Sequence, residues 1–279
     1  QMLAYSIPLM IAALPGIVND FLDRILFRYF DTDPETWRSS LGIFQAAVKL
    51  SVIMNLFIQM FRFAAEPFFF QRARDKGSKQ LYAIVMEFFT AFCGLILIGV
   101  FLYLDICSLI IGKDFRSGMG VVPVMLLSYM LLGMLFNVSM WYKLSGKTNM
   151  AIWITLAGLA VTVIVNVIFM PRYSFWAAAF GHLASYLIMF IISAVLGARY
   201  YPIPYSWKRI SALFLLIGII CCLSMLSDAL VFPGVNIGTS SALSEGLKLL
   251  LHTGLLLAYC AGCLVVLKGR YRQALAAEE

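Results

Sequence analysis

The sequence predicts an all-α integral membrane protein of about eight transmembrane helices. Three observations predict it: the composition, the recurrence of long apolar runs, and the placement of lysine and arginine between them. Of 279 residues, 62% are hydrophobic and 13% charged, with a mean hydropathy of +0.90. A soluble domain carries about 25% charged residues. Apolar runs recur along almost the whole chain, so the missing charge is not explained by one large core. The net charge of +7 sits in short clusters between those runs, where it orients helices rather than marking a nucleic-acid surface. No nucleic-acid partner is expected.

A span needs about 20 mainly apolar residues to cross a hydrocarbon layer about 30 Å thick. Eight stretches qualify: Leu3–Phe30, Leu41–Phe70, Leu81–Leu104, Val121–Lys143, Met150–Met170, Phe175–Ala198, Ile210–Leu230 and Ser244–Leu267. The first two exceed one perpendicular crossing and are expected to tilt or to extend beyond the lipid. Lipid leaves no partner for free backbone groups, so the spans must be helices. Turn residues separate them, at Asp31–Pro34, Lys76–Ser78, Gly112–Gly120, Ser145–Asn149, Pro171–Ser174, Pro202–Ser206 and Pro233–Ser241.

Basic residues set the expected orientation. With Gln1 inside, the inward connections hold twelve: Arg72, Arg74, Lys76, Lys79, Lys143, Lys147, Arg199, Lys208, Arg209, Lys268, Arg270 and Arg272. The outward ones hold five: Arg28, Arg38, Lys113, Arg116 and Arg172. This asymmetry places both ends of the chain on the cytoplasmic side. Gln1 leads straight into an apolar run without a basic segment or a small-residue cleavage site, which is not a signal-peptide pattern; residues upstream are expected. The chain divides into a six-helix part at 1–198, a basic cytoplasmic connection at 199–209, a peripheral transmembrane hairpin at 210–267 and a tail at 268–279.

The six cysteines are read as small apolar helix residues. Five lie inside apolar runs, and Cys260-x-x-Cys263 lacks the second ligand pair of a zinc site. No metal, cofactor or catalytic residue is expected, because no nucleophile–base constellation is present.

Polar residues inside the spans carry the functional reading; the ionisable ones cost about 2.5–3.5 kcal/mol each to insert and so usually face protein or water. In the second span Gln45, Lys49, Asn55, Gln59, Arg62 and Glu66 fall within an arc of about 140° at about 100° per residue. Two bases outnumber one acid there, so the stripe can present positive charge to a cavity. The first span adds Asn19, Asp20, Asp23 and Arg24, with Pro15-Gly16 a kink upstream. A structural reading stands beside each: Arg62 with Glu66 and Asp20 with Arg24 can pair at i, i+4, and Lys49 can snorkel to an interface. Lys248 and His252 share one face of the last span; a structural reading is preferred for them, with Lys248 near a helix start and able to snorkel, and a packing reading for His182.

Several segments together resemble a known family. Tyr5-Ser6-Ile7-Pro8-Leu9 followed by Asn19-Asp20 and Asp23-Arg24 resembles the seventh span of Wzx-type polysaccharide transporters, relatives of MATE exporters within the MOP superfamily. Ala65-Glu66-Pro67-Phe68-Phe69-Phe70 ahead of a basic loop looks like the eighth span. Lys143-Leu144-Ser145-Gly146-Lys147-Thr148-Asn149 and Asn166 to Tyr173 are similar to later segments. Tyr200-Tyr201-Pro202-Ile203-Pro204-Tyr205 before Trp207-Lys208-Arg209 is the most distinctive match.

The resemblance implies the second six-helix lobe of a MATE-like transporter plus a final helical hairpin, with the N-terminal lobe of the same protein as partner. It implies a flippase of the bacterial inner membrane moving undecaprenyl-pyrophosphate-linked oligosaccharide, an O-antigen-type precursor, to the outer leaflet by alternating access. Under it Arg24, Lys49 and Arg62 would meet the pyrophosphate, and Asn55 and Gln59 the sugars. Asp20, Asp23 or Glu66 would hold the cations or bind a coupling proton or sodium ion. A cation-coupled drug exporter and an intramembrane polysaccharide polymerase or ligase are the competing readings. The second-span stripe leans basic, against the first. The longest outer connection, around Val231–Leu243, has no ionisable side chain, against the second.

Overall fold

The computed structural model describes residues 10, 21–31, 37–73, 75, 77–233, 242–268 and 270. Among these the chain is helical and contains no strand. Residues 21–30 form α1. There follow α2 (Trp37–Gln71), α3 (Ser78–Leu102), α4 (Leu104–Ile110), a 3-10 segment (Lys113–Val121), α5 (Val122–Val138), α6 (Met140–Leu144), α7 (Asn149–Tyr173), α8 (Phe175–Tyr200), α9 (Trp207–Leu230) and α10 (Ala242–Val266).

Seven helical stretches among the described residues are long and apolar enough to cross a membrane. They coincide with the second to eighth expected spans, and define the class: an all-helical, multi-pass membrane protein. Most of the expected first span, residues 1–20 apart from Met10, lies outside the described residues. Helix α2 has 35 residues, about 52 Å at 1.5 Å per residue, longer than one perpendicular crossing of about 30 Å. Gly112–Gly120, expected as a plain turn, is largely the 3-10 segment. Its Gly118, Met119 and Val121 are buried, and a Cβ on Gly118 would come within 2.4 Å of Ile43 on α2. A turn with no side chain at that contact can close against a helix.

Two compact units are present, and they do not follow chain order. One groups the described residues up to Lys79 with Lys113–Ile203; the other groups Gln80–Gly112 with those from Pro204 onward. The third span thus keeps company with the last two. The functional division expected at 198 and 209 is a separate matter and stays an expectation.

In the first unit α8 packs along α7 and α5, and α5 packs along α2. Small residues permit this. Ala177, Ala178, Ala179, Gly181, Ser185, Ser193 and Gly197 are the buried side of α8, and in lipid close approach of helix backbones is the main source of packing energy. Ser185 Oγ donates to the Gly158 carbonyl of α7 at 2.8 Å. Trp141 Nε1 donates to Ser193 Oγ at 3.1 Å, and Ser51 Oγ reaches the Val122 carbonyl at 3.4 Å. Between α7 and α8 stands one residue, Ser174, at φ 45° and ψ −123°. A non-glycine residue takes that conformation only when its surroundings impose it.

In the second unit Tyr259 of α10 donates its hydroxyl to the Ala91 carbonyl of α3 at 2.9 Å. Gly94 makes room for that ring: a Cβ there would lie 2.1 Å from the Tyr259 oxygen. Ala91, Leu213 and Leu267 form a buried cluster from α3, α9 and the end of α10. Glu87 on α3 is fully buried and takes Arg270 at 2.9 and 3.3 Å and Arg209 at 3.5 Å. A buried carboxylate at membrane depth needs such partners.

Candidate functional site

The heptad-like spacing 45, 48, 52, 55, 59, 62 on α2 lays Gln45, Val48, Val52, Asn55, Gln59 and Arg62 along one side of a cavity of about 670 Å³ within the first unit. Helix α1 supplies Phe21, Asp23 and Arg24 to it, α5 supplies Tyr129 and Phe136, and α7 supplies Thr155. From α8 come His182, Ser185 and Tyr186. Its volume falls in the range of small-ligand sites, about 300–1,000 Å³. Arg24, at its rim, is exposed.

Arg62 is held from two sides. Its Nε donates to Glu66 Oε1 at 2.9 Å, and its guanidinium lies 4.8 Å from the Phe136 ring centre. Lys143 of α6 donates to the same Glu66 oxygen. One carboxylate therefore serves two cations and leaves the knot one positive charge in excess. Gln59 Nε2 lies 3.5 Å from Asn55 Oδ1, a long contact that leaves both amides room to turn toward a ligand. Arg24 carries its guanidinium 5.4 Å from the Phe21 ring centre.

Asp23 is 2% exposed. Its Oδ2 lies 2.9 Å from His182 Nε2, while its Oδ1 is buried with no hydrogen-bond partner. The imidazole stacks on Phe44, ring centres 6.1 Å apart, and leans on Tyr186 at 5.8 Å.

Of the residues singled out in the sequence, Arg24, Asn55, Gln59, Arg62 and Asp23 come together on this cavity. Glu66 lies behind Arg62, lining a small void with Asn137. Lys49 is exposed and does not line the cavity. Asp20 lies outside the described residues. His182 was read as packing, yet it is the partner of Asp23; 159 positions separate them, and no local spacing could have joined them. Lys143 was counted only as an orienting charge. Its one sequence signal was Glu66, a carboxylate at membrane depth needing more cation than Arg62 alone.

Among the described residues no group of three His, Cys, Asp or Glu side chains could hold a metal ion, and all six cysteines are unpaired thiols. The site offers two guanidinium groups, amide donors and acceptors, aromatic walls and one buried acid. These can bind and desolvate a polar or anionic group at membrane depth. Comparison with protein-family models, with curated proteins and with solved structures finds no match.

Proposed function

We propose that this chain is the cargo-binding lobe and final hairpin of a bacterial inner-membrane transporter that flips undecaprenyl-pyrophosphate-linked oligosaccharide by alternating access. One observation carries the reading: Arg24 and Arg62 share a cavity among membrane-spanning helices, with the Asn55 and Gln59 amides beside them. A pyrophosphate needs cationic compensation where water is scarce, and arginine meets phosphate oxygens in pairs. Sugar hydroxyls need donors and acceptors, which the amides and Tyr129 supply. The polyprenyl tail stays in lipid. Lys49 stands off the cavity, so the cationic field rests on Arg24 and Arg62.

The test replaces Arg24 or Arg62 with Ala in the full-length protein and measures surface polysaccharide at matched protein levels. Export falling about tenfold or more in either variant supports the reading, the size expected for one charge-assisted phosphate contact. Unchanged export in both variants overturns it.

A cation-coupled drug exporter is the second reading, favoured by the buried Asp23 and by the aromatic walls Phe21, Phe44, Tyr129 and Phe136. It predicts raised resistance to lipophilic cations on expression, abolished in Asp23→Asn, with no change in surface polysaccharide.

A further inference from the structure

Lys248 and His252 of α10 stand four residues apart and share one face of the helix. Both are buried, at 5% and 3% exposed, so Lys248 does not snorkel as the sequence suggests, while Leu250, Leu257 and Leu264 on the same helix are 64–75% exposed. Three elements of the second unit converge on that buried face. Lys248 Nζ donates to Asp105 Oδ2 of α4 at 2.7 Å and lies 3.4 Å from Asp228 Oδ1 of α9. His252 Nδ1 lies 2.7 Å from the carbonyl of Leu102, the last residue of α3. His252 Nε2 lies 3.3 Å from Asp228 Oδ1 and 3.5 Å from Ser224 Oγ. Next to Leu102, the Tyr103 hydroxyl is 2.7 Å from Thr253 Oγ1.

These contacts fix the tautomer. A carbonyl oxygen can only accept, so the 2.7 Å contact places a proton on Nδ1. A neutral His252 then turns the Nε2 lone pair toward the Asp228 carboxylate, and like meets like. Asp228 Oδ1 has ion-pair distances to Lys248 and His252 but no well-directed hydrogen bond. A proton on Nε2 changes that contact from repulsion to a charge-assisted bond. The charge balance points the same way: Lys248 carries one positive charge against Asp105 and Asp228, and an imidazolium brings the four groups to neutrality. Net charge in a low-dielectric site is costly. Both carboxylates are about two-fifths exposed, while the Asp228 Oδ1 that faces the ring is buried.

We propose that His252 is a proton-binding site that fastens α9 and α10 to the end of α3. The empty site ties α10 to α3 through Leu102 and to α9 through the Lys248–Asp228 contact; the loaded site adds a second tie to α9, from His252 to Asp228. The inference is independent of the cargo, and concerns a part of the molecule that the cavity does not use.

The experiment uses the full-length protein in lipid nanodiscs, with histidine ¹⁵N-labelled in its ring. The signal lost in His252→Gln should report an Nδ1–H tautomer at about pH 8 and a doubly protonated ring by about pH 5.5, the range in which histidine titrates. Over the same range amide exchange across 102–110, 224–232 and 243–253, corrected for intrinsic rates, should slow about tenfold, as expected for one charge-assisted bond gained. Asp228→Asn should keep the tautomer and lose the slowing. An Nε2–H tautomer at high pH overturns the proposal. So does a ring that stays singly protonated to pH 5.5, or a pH-dependent slowing that persists in His252→Gln.

Discussion

Glu66 illustrates what a single carboxylate does among membrane helices. Its Oε1 receives both Arg62 and Lys143, and Lys143 is the more deeply placed cation, its side chain 11% exposed against 39% for Arg62. Glu66→Gln should lower stability by about 1–2 kcal/mol, less than the 3–5 typical of a fully buried pair because Arg62 and Glu66 are partly open. The loss should read as a lower melting temperature in detergent. Adding Lys143→Met to that variant should restore part of it, and a double variant no more stable than Glu66→Gln would show that Lys143 is solvated. Lys49→Ala should leave both melting temperature and export unchanged, since the side chain is exposed and off the cavity; a clear loss of export would put Lys49 back in the site. At this scale the sequence was half legible. The α2 stripe could be read because helical periodicity puts 45, 55, 59 and 62 on one side. Asp23 with His182, and Glu66 with Lys143, could not, because tertiary pairing leaves no periodic trace.

Helices themselves were legible for a simple reason: hydrocarbon admits no other backbone state for an isolated apolar segment. The 3-10 segment Lys113–Val121 was not, because its polar residues and glycines carry turn chemistry. Its shape comes from contact with α2. Two glycines in α3 separate packing from propensity. At Gly94 an added Cβ would meet Tyr259 at 2.1 Å and Ile217 at 2.8 Å, whereas at Gly99 nothing lies within 4 Å. Gly94→Ala should therefore displace the Tyr259 ring, break its bond to the Ala91 carbonyl and destabilise by about 1–3 kcal/mol. Gly99→Ala should be neutral or stabilising by up to about 1 kcal/mol, as alanine loses less backbone freedom in a helix. Thermal unfolding of the two variants side by side checks this; equal losses would mean that α3 and α10 are not in close contact.

Seven apolar helices among the described residues define a multi-pass membrane protein, and the basic residues give an expected orientation that labelling can test. Cysteine introduced at Lys147, in a background lacking the native cysteines, should react with a membrane-impermeant maleimide only from the cytoplasmic side. Cysteine at Arg172 should react only from the outer side. Reversed labelling would invert the topology and place the His252 cluster on the inner face. The grouping of α3 with α9 and α10 was invisible in the sequence, where the third span looks like its neighbours. Its marks are single residues whose meaning appears only in three dimensions: Glu87, which two distant arginines share, and Gly94, which one tyrosine fills.

The linkage at Ser174 also limits how the cavity can change shape. With one residue between them, α7 and α8 have no slack to part, slide a full turn or tilt independently. Thr155 and His182, on opposite members of this staple, must therefore move together in any rearrangement of the cavity.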